Sequence, residues 1–402
     1  MHRSAREAAL HSGLALMCPD PAESRLLRAA LLPGEAGRLA LREVAPLLER
    51  PQALGARERV AFRTLAPLLD AAVARHEVPI AAEARRILRM AGARERARAA
   101  MVRRIGWQLM AQLARRNVDA VLLRGMALAE TAYGEPHFRH THDVDLLVPT
   151  GGFAAAEDAA REAGFTERSD DPGRLPDGIR LVHPSGLPVE IHHALFLSDF
   201  HPAELEGMRS RLEPVVALGV SALALNPADG LLHILGHAAL SPFRGNLRWA
   251  VDAWLLMDRR RDLDWDAFLA AAIAGRLALP VSVLLRFLAD ELHAPVPARV
   301  LDTLALEART VPAVARDVAL YGARAGLPAF ALVRRVEGWR PRLLALGWLV
   351  FPSPSYLRLV YRTVAVPTPL LYPYRIWRQA TLAARNRWHR LRLPGSLEAE
   401  IA

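Results

Sequence analysis

A change of hydrophobic period constrains the fold more than any other feature of this chain. Residues 4–115 place apolar side chains three and four apart, in runs such as "AGRLALREVAPLLER", "RERVAFRTLAPLLDAAVARHE" and "ARERARAAMVRRIGWQLMAQLARRN". That spacing lines one face of an α-helix, and Pro51, Pro79 and Gly92 punctuate the runs. The pattern then shortens. "VDAVLLRG" (118–125), "DVDLLVP" (143–149), "GIRLVHP" and "LPVEIHHALF" read as strands, the last two joined by a "SG" hairpin signal. "MALAETAY" and "TGGFAAAEDAAREAGF" (150–165) return to helix between them, the second with Thr150 as expected N-cap and Gly164 as C-terminal glycine. A sheet is therefore expected between about 118 and 196. From Pro227 onward the helical period resumes and persists. The expected class is α+β, a small mixed sheet embedded in largely helical N- and C-terminal regions. The expected divisions are a helical region at 1–115, an α/β core at 116–215, a helical domain at 216–330 and a basic, aromatic, Pro-rich helical region at 331–402.

Composition narrows the function classes. With 402 residues, 52% of them hydrophobic, the chain can bury a large core. The formal charge of +10 comes entirely from arginine; there is no lysine. It favours anionic partners such as phosphates, polynucleotide or an acidic membrane surface, although a solvated arginine surface is the simplest reading. A lone cysteine, Cys18, excludes intramolecular disulfides and a cysteine-based zinc site, and fits a reducing cytoplasm. The N-terminal "MHRSAREAALHSGLALMCPD" is broken by Glu7 and His11, so it reads as helix rather than as a signal peptide. The most apolar short stretch, "LLALGWLVF" (343–351), is too short to span a bilayer.

The chemistry concentrates in "HFRHTHDVDLLVP" (137–149), where Asp143 and Asp145 open a strand-like run. Alternate residues of a strand share a face, so the two carboxylates lie together, opposite Val144 and Leu146. Ionised together they repel. A divalent cation such as Mg²⁺, which takes carboxylate oxygens together with substrate phosphates, relieves that repulsion; pairing with nearby arginines would also do so. Upstream, "VLLRGMAL" reads as strand, Arg124-Gly125, then a helix start, whose free N–H groups suit an anion. Downstream, Glu190 and His192 alternate against Val189 and Ile191. Glu190 could thus supply a third carboxylate from a neighbouring strand, as two-metal phosphoryl transfer requires.

This combination resembles the DNA polymerase β-like nucleotidyltransferase superfamily. "LLRGMALAETAYGEPHFRHTHDVDLLVP", "VEIHHAL" and "LLHILGHAALSPFRGNLRWAVDAWLLM" are more closely similar to a bacterial branch of uncharacterised nucleotidyltransferase family proteins, over roughly residues 100–260. The resemblance implies that Asp143, Asp145 and Glu190 hold Mg²⁺ or Mn²⁺, with Glu190 orienting or deprotonating the acceptor hydroxyl. It implies that Arg124, Gly125 and Met126 form the turn meeting the triphosphate of an NTP, that Arg139 neutralises phosphate charge, and that His192 lines the site. The reaction implied is transfer of a nucleoside monophosphate to an acceptor, which is a small molecule, sugar, peptide or protein. One departure stands out: the superfamily's turn reads Gly-Ser or Gly-Gly, whereas this chain has Gly125-Met126. That leaves a catalytically inactive, binding-only relative as the alternative, and an RNA-modifying nucleotidyltransferase as a further one.

Several polar residues read structurally. His140 and His142 sit beside Asp143 without the spacing of a zinc hydrolase and read as loop. His233 and His237, four apart among apolar residues, read as a packed helix, and Arg248 and Asp252 as an intrahelical ion pair. The resemblance also brings Arg248 or Asp252 to the edge of the acceptor pocket. The Arg-, Tyr- and Trp-rich C-terminal region reads as a helical cap, with peripheral membrane, nucleic-acid or partner contact as alternatives.

Overall fold

Among the described residues, seven strands form one mixed sheet in the computed structural model. The structure describes residues 14, 17–49, 56–167, 174–175, 178–196, 201, 205–240, 247–322, 351–361 and 366–378, with single positions at 339, 343, 347, 364 and 381. The reading of the extreme N-terminus, and most of "LLALGWLVF", lie outside these residues. The chain divides into two compact units, Met17–Thr310 and a second made of Met1–Leu16 with Val311–Ala402.

The larger unit opens with helices α1 (Pro21–Leu31), α2 (Gly34–Glu49), α3 (Ala56–His76) and α4 (Ala82–Arg115). Asp20 starts α1 through a reciprocal cap: its carboxylate accepts from the Glu23 amide at 3.0 Å, and the Glu23 carboxylate accepts from the Asp20 amide at 2.8 Å. Helix α4, with 34 residues, spans about 50 Å. Its Ile105, Leu109 and Leu113 recur every fourth residue on one buried face and pack on the sheet.

The sheet strands are β1 (Val121–Leu122), β2 (Val144–Leu147), β3 (Arg174–Leu175), β4 (Gly178–Val182), β5 (Pro188–His192), β6 (Glu213–Ala217) and β7 (Val220–Ala224). They lie in the order β3-β4-β5-β2-β1-β7-β6. The β2–β5 and β1–β7 pairs are parallel and the others antiparallel. Helices α5 (Arg124–Thr131) and α6 (Phe153–Glu162) fall between the early strands, α7 (Leu205–Arg209) precedes β6, and α8 (Pro227–Leu240), α9 (Arg248–Arg259), α10 (Trp265–Ala274), α11 (Ala278–Leu292) and α12 (Ala298–Thr310) follow β7.

Strand alternation explains which face of the sheet is buried. Val144 and Leu146 on β2, Val189 and Ile191 on β5, and Ile179 and Leu181 on β4 are fully buried and form one core with residues of α4 and α6. The residues between them, Asp145, Glu190, His192 and Arg180, therefore point to the opposite face.

The α+β class, the β4–β5 hairpin and its positive-φ Gly186 agree with the sequence reading. Three expectations change. The 118–125 run is strand only at Val121–Leu122, because Arg124 already begins α5. Helix α6 starts at Phe153 after a 3-10 turn, so Gly152, with no side-chain cap, takes the position expected for Thr150. The sheet also extends past 196, because β6 and β7 form a second hairpin whose β7 pairs with β1.

In the smaller unit, α13 (Ala313–Gly322) and α14 (Pro354–Val360) are tied by the Asp317 carboxylate, which accepts from the Ser353 amide at 2.6 Å. Leu357, Tyr361 and Leu371 form its small described core, and Arg378 stacks over the Tyr361 ring. Among the described residues, no helix is long and apolar enough to cross a membrane.

Leu146 lies in the centre of the sheet core. Leu146→Ala should cost about 2–5 kcal/mol in a denaturant titration. The exposed Val216→Ala should change stability by less than about 0.5 kcal/mol.

Candidate active site

The site begins where β1 becomes α5. The Leu123 amide donates to the Asp145 carbonyl at 3.0 Å, which fixes the end of β1 against β2. Arg124 then takes a positive φ of 32°, sparsely populated for a residue with a side chain. Its Nη2 donates to Asp145 Oδ2 at 2.7 Å. The N-cap, Leu123, makes no side-chain cap bond. Helix geometry leaves the first-turn N–H groups of Arg124, Gly125 and Met126 without intrahelical acceptors.

Strand register builds the acidic cluster. In the parallel β2–β5 pair, Asp145 stands directly beside Glu190, and Leu147 beside His192. Asp145, Glu190 and His192 bring one potential ligand atom each to within 4.8 Å of one another. His192 Nε2 lies 3.6 Å from Glu190 Oε2 and 4.0 Å from Asp145 Oδ1. Asp145 is only 4% exposed, and its Oδ1 is buried without a hydrogen-bond partner. On the far side, the Arg180 guanidinium approaches Glu190 Oε1 at 3.5 Å. Asp143 lies two residues earlier, just before β2 begins and outside the tight trio, where its carboxylate meets His142 Nε2 at 3.2 Å.

Proton affinities follow from this crowding. Burial, then the neighbouring Asp145 charge, pushes Asp143 up to about 7. Burial and the same charge raise Glu190. Burial would raise Asp145 too, but Arg124 and His192 outweigh it and hold Asp145 well below the usual carboxylate range. The cluster thus has one firmly ionised carboxylate and two neighbours that resist sharing its charge. A cation would reverse that resistance.

The other expected site residues fall differently. Met126 is buried in the core and presents no side chain to the turn. Arg139 is 6% exposed, and its Nε and Nη2 donate to the two Asp252 oxygens at 2.9 and 2.8 Å. Tyr133 donates its hydroxyl to the same Asp252 at 2.6 Å. The role expected of Arg139 at phosphate is therefore replaced by a buried, two-pronged ion pair between the loop before β2 and α9. Gly125 belongs to that arrangement: a Cβ there would lie 2.8 Å from Arg139 Nη1. What approaches this glycine closely is a side chain of the same chain.

Helix α9 also overturns the expected intrahelical pair. Asp252 turns to Arg139, while Arg248 Nη1 contacts the His142 ring and the His140 carbonyl. Arg248 thereby backs the imidazole that touches Asp143. His140 is held by Glu95 at 2.9 Å. His233 and His237 pack edge to face on α8, as expected of a packed helix. Tyr133 and Glu95 carried no local signal; both are recruited by partners far away in sequence.

A mixed sheet that sets an aspartate and a glutamate side by side on parallel strands, next to a strand-to-helix turn, has the architecture of a nucleotidyltransferase core. Residues 58–292 match the family model described as uncharacterised nucleotidyltransferase, more than half of the chain, and the protein belongs to that family. No curated protein and no solved structure matches it.

The Arg139–Asp252 pair is buried on both sides. Asp252→Ala should cost roughly 3–5 kcal/mol in equilibrium unfolding, because it strands a buried guanidinium. Gly125→Ala should cost about 1–3 kcal/mol by the same measurement, because Arg139 must move aside.

Proposed function

We propose that this protein transfers a nucleoside monophosphate from an NTP to an acceptor hydroxyl, releasing pyrophosphate. The observation that carries the reading is the Asp145–Glu190 register, with a buried, unpartnered Asp145 Oδ1 in the trio completed by His192. Two carboxylates and an imidazole form a donor set that a divalent cation accepts, and the imidazole suits Mn²⁺ at least as well as Mg²⁺. Asp145 and Glu190, joined by Asp143, would hold that cation, with His192 lining the same face. When bound, the metal supplies charge neutralisation at the phosphate and lowers the pKa of the acceptor hydroxyl.

The chain's own residues divide the remaining work. Arg124 fixes the orientation of Asp145, and the first turn of α5 offers backbone N–H groups to the phosphates. Arg248 and His142 position Asp143. Glu190 orients the acceptor hydroxyl or takes its proton. The acceptor oxygen attacks the α-phosphorus, the bond to the bridging oxygen breaks in line, and pyrophosphate leaves with that oxygen. Positioning and electrostatic stabilisation account for most of the rate.

A second reading has its own observation. With Met126 in the core and Arg139 committed to Asp252, the turn carries less phosphate-binding equipment than the family pattern expects. A catalytically inactive relative that still binds a ligand is consistent with that loss.

Titration calorimetry with the four NTPs, with and without Mg²⁺ or Mn²⁺, separates the two readings. Wild type should bind at least one NTP in a metal-dependent way. Asp145→Asn should stay folded, lose that binding and lose turnover. Full turnover in Asp145→Asn would overturn the assignment, and no NTP binding in wild type would favour the inactive relative. Chelation by EDTA should abolish NTP binding, and Mn²⁺ should restore it.

A further inference from the structure

Residues 338–397 contain ten arginines and no aspartate or glutamate. Those ten equal the whole net charge of +10, so the rest of the chain is balanced. The same segment holds four of the eight tryptophans and four of the six tyrosines. Half of the large apolar side chains that the described residues expose also fall here.

A helix over 368–378 shows how part of this surface is arranged. Its inner side is fixed. Leu371 is fully buried with Leu357 of α14 and with Tyr361, and Arg378 stacks over the Tyr361 ring. The Tyr372 hydroxyl donates to the Pro352 carbonyl at 2.9 Å, and Arg358 Nε donates to the Thr368 hydroxyl at 2.7 Å. At about 100° per residue, Pro369, Leu370, Pro373, Ile376 and Trp377 then share an outer arc about 120° wide. All five are exposed, Leu370, Ile376 and Trp377 by 54%, 52% and 61%. Arg375 and Arg378 fall outside that arc, so no charge interrupts it. A surface helix ordinarily turns its apolar arc to the core. This one turns an apolar arc to solvent, and a contiguous exposed apolar face marks an interaction surface.

The partner must be anionic and must also take up aliphatic and aromatic side chains. Nucleic-acid phosphates would satisfy the arginines but leave Leu370 and Ile376 without an apolar medium. An anionic bilayer surface offers both, lipid phosphates above and the acyl boundary below. Tryptophan and tyrosine favour that boundary, and arginine reaches from it to the headgroups. We propose that the 368–378 helix lies flat on an anionic lipid surface. Its Leu370–Trp377 face enters the headgroup–acyl boundary, and the segment's arginines are drawn to lipid phosphates.

The test is co-sedimentation of the full chain with vesicles of phosphatidylcholine, either alone or with about 30% phosphatidylserine. Wild type should bind the anionic vesicles at least about tenfold more tightly than the neutral ones. Leu370→Ser/Ile376→Ser changes exposed positions only, so its thermal melt should match wild type. Its affinity for the anionic vesicles should fall about tenfold. Val216→Ser, an exposed position in the larger unit, should bind as wild type does. No vesicle binding, equal binding to both compositions, or full binding by the double variant would each overturn the proposal. Tighter binding to a single-stranded RNA oligonucleotide than to anionic vesicles, unchanged in the double variant, would assign the arginines to nucleic acid instead. A wild-type dimer that the double variant dissociates, without vesicle binding, would assign the apolar face to a second copy of the chain.

Discussion

The parallel register of β2 on β5 is the constraint on which the rest of the site depends. It sets Asp145 beside Glu190 on a sheet whose opposite face is sealed by Val144, Leu146, Val189 and Ile191. A slip of one residue would turn the carboxylates into that core and the apolar side chains out of it. The core therefore specifies the register, and the register places two like charges next to each other, Asp145 buried and Glu190 half-buried. Arg124 offsets part of that cost by bonding Asp145 directly. The left-handed backbone at Arg124 is what turns the chain from β1 into α5 at that point. An acidic cluster of this kind is a local loss of stability that the surrounding apolar packing tolerates.

A second electrostatic element holds the site's outer wall. The Arg139–Asp252 pair, with Tyr133 on the same carboxylate, joins the loop before β2 to α9 across more than a hundred residues of sequence. One helical turn away, Arg248 reaches the His140–His142 segment. The helical segment after the sheet is thus bound to the strand that carries the aspartates by charge as well as by apolar contact. Burial of these groups would be unfavourable without their partners, so the pair and the helix position depend on each other. Gly125 completes the arrangement by leaving room for the Arg139 guanidinium.

Much of this was legible in the chain. The change of period located the helical regions and most of the sheet, and alternation within "DVDLLVP" and "LPVEIHHALF" put Asp145, Glu190 and His192 on polar faces. The β4–β5 hairpin followed from Ser185-Gly186. The β6–β7 hairpin was missed because "EPVVA" and "VSALA" are short and weakly alternating, and their pairing with β1 is non-local. Arg139 was read as a phosphate ligand because its basic charge beside an acidic cluster looks the same whether its partner is a substrate or Asp252. The helix start after Arg124-Gly125 was legible, but nothing local reveals that the core covers the face of α5 that carries Met126.

Sequence by itself determined what local physics can encode: the helix and strand periods, the shared face of alternate residues, and the concentration of carboxylates at a strand start. Tertiary structure alone decided which of those groups meet. Strand order brought Glu190 and His192 to Asp145, helix α9 engaged Arg139 through Asp252, and the turn at Arg124 carried its guanidinium to Asp145. The physical reason is range. Side-chain alternation and helical spacing are fixed by a few consecutive dihedrals, whereas the partner of a buried charge is chosen by whichever opposite charge the packed core brings within hydrogen-bond distance.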